Sequence, residues 1–481
     1  MLKKKDILKN LKKEKYFSLI SNLSEKLNIK SYVIGGYVRD LLLNKNQPID
    51  IDIVTTGNSL ILAKMFYNSI SKKVIYVFKK FKTAIVKNRN IRIEFVSTRK
   101  EYYNIYDNKP YVKIFKTIKE DQKRRDFTIN TIAISLNKND FGKILDPFNG
   151  IKDIKNKIIK TPINPNITFY DDPLRMIRAI RFKNILRFKI DKSLIKSIQE
   201  NIDRIKIVSI ERIVEEFNKI LLSNKPSIGL KLMYKFGFLF YILPDFISLK
   251  GRVTFNGYSY KDNFIHSLKV LDNISKLTNN LWLRWATLLH DIGKNIAKKF
   301  IINKGWTFYK HEIIGSNMIP YIFHKLKLSL KSNMKYVQTI VRYSNLPIIL
   351  YKKKKNSVNS VKISTIRKYI YKIGLNNIVD LIKLCYCDIT TIKETKRINK
   401  KKIINFYKIT NKIENKYQIS NLKMPINGHD IMNYFKIKPS KIVGKIKNII
   451  KDYIVKGKIL NDYKEAFKLM KKIGKKILKR I

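Results

Sequence analysis

The chain has 481 residues, 44% of them hydrophobic, and a formal charge of +65 from 101 Lys+Arg against 36 Asp+Glu. That apolar content excludes a wholly disordered basic protein, and the length calls for two to four domains. The two cysteines, Cys385 and Cys387, exclude a disulfide framework or a cysteine-rich zinc site, and the lack of an apolar run of about 18 residues excludes a membrane span. The N-terminal MLKKKDILKNLKKEK has no apolar centre of a secretory signal, so a soluble, cytoplasmic chain is expected. Charge alone points only vaguely to nucleic acid. With 83 lysines, 18 arginines and seven alanines, we attribute much of it to drift toward AT-rich codons, a hypothesis that a GC-balanced relative of equal charge would refute. The scarce residues then carry the information: six arginines fall between Arg124 and Arg187, and 17 acids lie in the first 190 residues.

In chain order, SYVIGGYVRDLLL from Ser31 reads as a strand, a Gly35-Gly36 turn and a helix. Two glycines at such a junction let backbone N–H groups approach a phosphate, with Arg39 on the first helical turn beside it; a plain tight turn would look the same. In Pro48–Val54 strict alternation predicts a strand with Asp50 and Asp52 on one face. Two such carboxylates repel unless a cation sits between them, and oxygen ligands of this kind suit Mg²⁺; an exposed polar edge is the plainer reading. Asn90–Val96, NIRIEFV, predicts a strand whose Glu94 either adds a third carboxylate or pairs with Arg92 or a lysine.

DQKRRDFTIN from Asp121 places Arg124, Arg125 and Asp126 before an apolar segment. Asp126 could cap a helix, whereas guanidinium groups match phosphate or ribose oxygens. FYDDPLRMIRAIRF from Phe169 predicts a helix with Asp172 as its cap, Pro173 at its first position, and Arg175, Arg178 and Arg181 at i+3 steps. An acid and an arginine so spaced offer an acceptor edge and a donor edge to a nucleotide base.

These segments in this order resemble the class II nucleotidyltransferases, the tRNA CCA-adding enzymes and bacterial poly(A) polymerases. The matching residues are Gly35-Gly36-Tyr37-Val38-Arg39-Asp40, Asp50-x-Asp52, Arg124 to Asn130, and Asp171-Asp172-Pro173-Leu174-Arg175, with Ser209-Ile210-Glu211-Arg212 similar to the family's neck motif. The family's base-reading motif usually begins with Glu, where this chain has Asp171. The resemblance implies that Asp50 and Asp52 hold two Mg²⁺ ions roughly 3.5–4 Å apart. It further implies that Gly36 and Arg39 cradle the triphosphate, that Arg124, Arg125 and Asp126 contact phosphate and ribose, and that Asp172 and Arg175 select C and then A. Arg178 would join that pocket or the triphosphate, with the protein itself as template.

Downstream, His266 in KDNFIHSLKVLDN, His290-Asp291 before Ile292-Gly293-Lys294, and Asp388 in LCYCDITT have the spacing of an HD domain, a helical fold that can bind a divalent metal. His311-Glu312 fits longer versions of that pattern, and the cysteines beside Asp388 should pack as small apolar residues. A relic domain that only supports RNA is the alternative. The tail from Pro425 resembles the C-terminal region of HD-containing CCA-adding enzymes, and its lysines, with Lys352–Lys355 and Lys471–Lys479, could follow an RNA backbone or be solvated faces.

The expected fold is α+β: a polymerase-β-type nucleotidyltransferase head with a small mixed sheet over 1–155, then an all-α neck (156–250), HD domain (251–395) and basic tail (396–481). The expected activity is CCA addition to tRNA from CTP and ATP. A poly(A) polymerase, a partial CC- or A-adder, an HD phosphohydrolase with an RNA-binding head, and a non-catalytic RNA-binding protein are the alternatives; the intact acid pair argues against the last two.

Overall fold

The computed structural model describes residues 4–45, 50–71, 73–88, 91–102, 111–114, 117–346, 363–391 and 396–478. The Lys352–Lys355 run and the end of the Lys471–Lys479 run lie outside them. The chain divides into two compact units, one of Met1–Ile220 with Ile228–Tyr241 and one of Leu221–Ser227 with Ile242–Ile481. Among the described residues no helix is long and apolar enough to cross a membrane.

The first unit is built on strands β1 (Ser31–Ile34), β2 (Asp50–Thr55), β3 (Lys73–Phe78), β4 (Thr83–Asn88), β5 (Arg92–Ser97), β6 (Arg99–Tyr102), β7 (Tyr111–Ile114), β8 (Ala133–Ser135) and β9 (Ile144–Leu145). Seven of them form a mixed sheet in the order β3-β4-β5-β2-β1-β8-β9, while β6 and β7 pair with each other. β2 lies between an antiparallel β1 and a parallel β5. Alternation along β2 and β5 turns Ile51, Ile53, Ile93 and Phe95 inward, each at most 4% exposed. Phe95 meets Phe66 of the helix Ser59–Asn68 with ring centroids 5.4 Å apart. Burying side chains of this size stabilises the sheet by about 1.5–3 kcal/mol each. The opposite face of β2 and β5 is thereby left for Asp50, Asp52, Arg92 and Glu94.

The helix Leu174–Leu186 carries the expected arginine row. It begins one residue later than the sequence suggests: Pro173 precedes it, and Asp172 Oδ1 accepts from Leu174 N at 3.2 Å. The helix Ile210–Leu221 brings Glu216, 3% exposed, against this row. Arg181 Nε lies 2.8 Å and Arg178 Nη1 3.4 Å from its carboxylate. Arg178 also donates Nη2 and Nε to Asp126 Oδ2 at 2.6 and 2.9 Å. Phe182 packs edge-on to Phe127 and lies under the Arg181 guanidinium at 4.3 Å. Buried charges thus occur as an alternating chain, the arrangement that makes their burial tolerable.

The second unit is mostly helical, as expected. Contrary to the all-α expectation it also holds two short antiparallel ribbons, Thr254–Phe255 with Tyr258–Ser259 and Lys299–Ile301 with Gly305–Thr307. The first turns through Asn256-Gly257, both at positive φ, which is the hairpin signal that a helix-oriented reading passes over. Arg284, fully buried, donates to the carbonyls of Leu221, Ser223, Ser275 and Thr278 and so closes several loop ends. The tail helices Gly428–Phe435, Lys441–Lys456 and Tyr463–Leu478 enclose a core of Ile431, Ile446, Ile450, Ile454 and Met470.

Burial alone would raise the pKa of Asp126, but Arg178 and Asn130 hold it well below the usual carboxylate range. A depressed carboxyl stabilises the fold above the unfolded-chain value of about 4 and loses that contribution as pH falls through its folded value. Thermal melts should therefore drop on acidification below about pH 4. Asp126→Asn should be about 1–3 kcal/mol less stable at pH 7, because it removes the nearer of the two acids on Arg178 and leaves it Glu216 alone, and should show a shallower acid dependence. An unchanged acid slope would remove Asp126 from this account.

Candidate active site

β1 ends at Ile34, which pairs with Asp52, so the Gly35 turn comes to rest against that carboxylate. Gly35 has φ +84° and ψ −137°, which its missing Cβ permits. A Cβ there would stand 3.0 Å from Asp52 Oδ2 and 2.9 Å from Arg125 Nη1. The helix Gly36–Leu42 follows at once. On the other side, the parallel register places Glu94 beside Asp52 and Arg92 beside Asp50. Arg92 bridges Asp50 at 3.4 Å and Glu94 at 3.2 Å, so Glu94 has the arginine partner that one of its two readings expected.

Asp50 is 67% and Asp52 42% exposed at the side chain. Although Asp52 is partly open, it stands at the foot of a wall of sheet and turn. Desolvation raises its pKa, against the pull of Arg125 and Arg92. Two neighbouring oxygen-donor side chains on one face, one of them held against its own ionisation, with a side-chain-free turn beside them, fit a divalent cation.

The remaining predicted residues fall into two groups. Arg124 and Arg125 follow the helix Ile118–Lys123 and are held by Asp121, which is fully buried: Arg124 Nη2 reaches Oδ1 at 2.5 Å, and Arg125 Nε reaches Oδ2 at 3.2 Å. Arg125 Nη1 stands 3.9 Å from Asp52. Arg175 donates to the carbonyls of Arg124 at 2.7 Å and Thr168 at 3.2 Å. Asp172 accepts from Arg212 at 2.9 Å. These side chains are oriented by the fold, and of them Arg125 reaches the acid face.

Arg39, Asp126 and Arg178 are engaged deeper. Arg39, 9% exposed, donates Nε and Nη2 to Asp40 and Nη1 to Asn130 at 2.8 Å. Asn130 donates to Asp126 Oδ1, which also accepts from Phe127 N, and Oδ2 takes Arg178. This chain braces the Gly35-Gly36 turn from beneath. Asp121, Asn130 and Glu216 are site-shaping residues that sequence reasoning did not single out. Asp121 had a signal, an acid three and four residues before two arginines; Glu216 had none that is local.

The second unit gathers the other predicted cluster. His266 lies on the helix Asn263–Ile274, His290-Asp291 after Leu281–Leu289, and Asp388 on Leu375–Ile389. His266 Nε2 is 2.7 Å from Asp388 Oδ1 and 3.8 Å from Asp291, His290 Nε2 is 3.4 Å from Asp291, and His311 Nε2 is 3.5 Å from it. The tautomers follow from the second partners. His290 Nδ1 is 2.7 Å from the Thr287 carbonyl and His311 Nδ1 is 2.8 Å from that of Phe308, so both donate. Thr391 Oγ1 uses its proton on the Asp388 carbonyl and hence accepts from His266 Nδ1 at 3.0 Å. His290 Nε2 and His311 Nε2, the latter also 3.3 Å from Asn345 Nδ2, thus turn toward Asp291, while His266 Nε2 faces Asp388, all oriented by their outer hydrogen bonds. Burial would raise the Asp291 pKa, but His290, Lys294 and the other imidazoles hold it far below the usual range. Burial lowers that of His266 despite Asp388. His290 Nε2 is buried without a hydrogen-bond partner, and the ligand atoms of His266, His290 and Asp291 lie within 4.8 Å of one another, so these three fit a divalent metal, with Asp388 beside them through His266. Cys385 and Cys387 are buried in the same helix as Asp388, and burial pushes both thiols up.

Residues 31–160 match the family described as Poly A polymerase head domain, 187–249 the probable RNA and SrmB-binding site of polymerase A, and 263–370 the HD domain. The CCA-adding enzyme of Ligilactobacillus salivarius (strain UCC118) is 29% identical over 92% of this chain and 93% of its own length. The A-adding tRNA nucleotidyltransferase of Aquifex aeolicus (strain VF5) is 36% identical over 45% of this chain, which spans only 26% of that relative. The chain likewise spans about half, 47%, of the CCA-adding enzyme of Lactobacillus helveticus at 36% identity. Among solved structures, the fold is that of the Bacillus stearothermophilus CCA-adding enzyme in complex with CTP, with TM-score 0.68 and 20% identity over 96% of this chain and 98% of that one. The Thermotoga maritima CCA-adding enzyme complexed with tRNA gives TM-score 0.57 and 21% identity over 98% of each.

Two outcomes follow from these geometries. Gly35→Ala places a methyl group against Asp52 and strains the turn by about 1–3 kcal/mol, so both melting temperature and divalent-metal affinity of the acid face should fall; an unaffected metal titration would show that the turn yields. His290→Ala should lose the metal that copurifies with wild type, read by elemental analysis, with a 10- to 100-fold weaker rebinding as a rough floor; equal metal content would count against the cluster as a metal centre.

Proposed function

The chain belongs to the class II nucleotidyltransferase family of the poly(A) polymerase heads and CCA-adding enzymes, and on that premise we propose that it builds or repairs the 3′-terminal CCA of tRNA from CTP and ATP, in the cytoplasm, without a nucleic-acid template. The observation that carries this reading is the acid face of β2, walled by Gly35 and flanked by Arg125, beside the helix that begins after Asp172.

In this reading Asp50 and Asp52, with Glu94 alongside, hold Mg²⁺. When bound, Mg²⁺ would neutralise triphosphate charge and lower the pKa of the attacking 3′-hydroxyl. Arg92, which bridges Asp50 and Glu94 in the free protein, moves aside for the cation. The Gly35-Gly36 turn lets the phosphates approach the backbone closely, and Arg39 keeps it in shape through Asp40 and Asn130. Arg124 and Arg125, aimed by Asp121, meet phosphate and ribose oxygens and stabilise the charge that develops on transfer. Asp126 and Arg178 act through the braced turn and the arginine helix. Asp172 offers the acceptor edge and Arg175 the donor edge for the incoming base, so discrimination between C and A rests on side chains pinned by Arg212 and two backbone carbonyls. Within the second unit, His266, His290, Asp291 and Asp388 hold a second divalent metal, which would supply Lewis-acid activation for phosphate chemistry.

A tRNA ending at the discriminator base, incubated with Mg²⁺, CTP and ATP, should gain C, C and A and then stop. Long A tracts would instead place the chain with the poly(A) polymerases, and a single A with the A-adders. Asp52→Asn should reduce transfer by at least about 100-fold. It should also raise the melting temperature of the metal-free protein at pH 7, because it removes a carboxylate whose ionisation the fold disfavours. Retained activity in that variant would reject the acid-pair assignment.

A further inference from the structure

Tyr170 lies on the helix Pro165–Asp171, two residues before Asp172, with 51% of its surface exposed. Arg204, from the turn Ile202–Ile207, lays its guanidinium 3.8 Å from the centre of the Tyr170 ring and donates Nη2 to the Tyr170 carbonyl at 3.0 Å. On the same turn Lys206 covers the ring of Tyr241 at 5.1 Å. Asp203 accepts from Lys206 at 2.9 Å and from the Tyr241 hydroxyl at 2.8 Å. Phe240, next in the chain, is 56% exposed. The surface therefore carries three half-open aromatic rings edged by two cations, with one acid already matched by a lysine and a hydroxyl. Arg212, 52% exposed at its side chain and paired with Asp172, continues the cationic edge to the base-reading carboxylate.

None of the nucleotide-facing roles above uses these rings; Asp203, Arg204, Lys206, Phe240 and Tyr241 lie within the matched RNA-binding stretch 187–249, and Tyr170 lies outside it. Exposed rings clamped by guanidinium and ammonium groups suit one occupant in particular. Unpaired bases have open π-faces that stack on such rings whatever their sequence, and the phosphates between them meet the cations. A paired helix hides those faces and could use the cations only. We propose that this strip is a stacking surface for the unpaired 3′ strand of the acceptor RNA, with Tyr170 its ring nearest in sequence to Asp172. The inference rests on the nucleotidyltransferase reading and adds to it where the strand lies.

The test is fluorescence anisotropy with the full chain, without nucleotide or metal, using a labelled single-stranded RNA oligomer and, separately, a blunt RNA duplex of the same length. Tyr170→Ala should weaken binding of the single strand by about 5- to 100-fold. Tyr170→Phe should recover wild-type affinity, and the duplex should bind all three proteins alike, which also reports that the alanine variant is folded. Unchanged single-strand affinity in Tyr170→Ala would overturn the proposal, as would an equal loss on the duplex, which would assign the strip to helical backbone instead. Transfer assays on wild type separate the two readings. Tyr170-dependent strand binding in a chain that transfers no nucleotide would overturn the catalytic reading alone; an active chain whose strand binding ignores Tyr170 would overturn the strip alone.

Discussion

Asp52 is pressed against a turn that has no room for a side chain. The sheet imposes this: β1 ends opposite Asp52, and the backbone must reverse there into a helix, so the residue between them takes a conformation that glycine alone adopts freely. A carboxylate in that position is partly stripped of water while another stands two residues away on the same face. The local field is satisfied by positive charge, and in the free protein Arg125 and Arg92 supply part of it. Much of the surrounding architecture keeps this arrangement from relaxing.

That support is a sequence of buried ion pairs. Asp121 holds the two arginines nearest the acids, and Asp40, Asn130 and Asp126 hold Arg39 and Arg178; Glu216 then closes the row with Arg181, whose pKa burial lowers to about 10. Taking such charges out of water is costly unless each has a partner of opposite sign, and here the partners alternate from strand to helix to helix. The consequence is orientation. Arg124 and Arg125, tied to Asp121, are kept from collapsing onto Asp52, while Arg92 bridges Asp50 and Glu94.

The histidine cluster of the second unit follows a different logic. Its geometry is set by second partners: each of three imidazoles turns Nδ1 to a nearby oxygen and Nε2 toward a carboxylate, His290 and His311 toward Asp291 and His266 toward Asp388. The head presents carboxylates on a partly open face, whereas the cluster presents imidazole nitrogens beside buried carboxylates. The two donor sets suit different metals and different chemistry.

Period-two alternation was enough to put Asp50 and Asp52 on one face and to place Glu94 in a strand, because side-chain direction in a strand is a local property; that the two strands are neighbours came from the pairing. The Gly35-Gly36 turn, the arginine helix and the order of the motifs were legible for the same reason, as was the candidacy of His266, His290, Asp291 and Asp388. The Asn256-Gly257 hairpin was equally legible and was passed over in favour of a helical expectation. Whether Arg39 faces a ligand or braces a turn could not be read locally, since it depends on Asn130, 91 residues away. Nor could the burial of Glu216 against Arg178, or the approach of Asp388 to His266 across 122 positions of chain. The sequence by itself determined which residues are candidates for the chemistry and which way each points from its own strand or helix; only the tertiary structure decided their partners, because a charge or an imidazole acquires its surroundings from what the fold brings within a few ångströms of it.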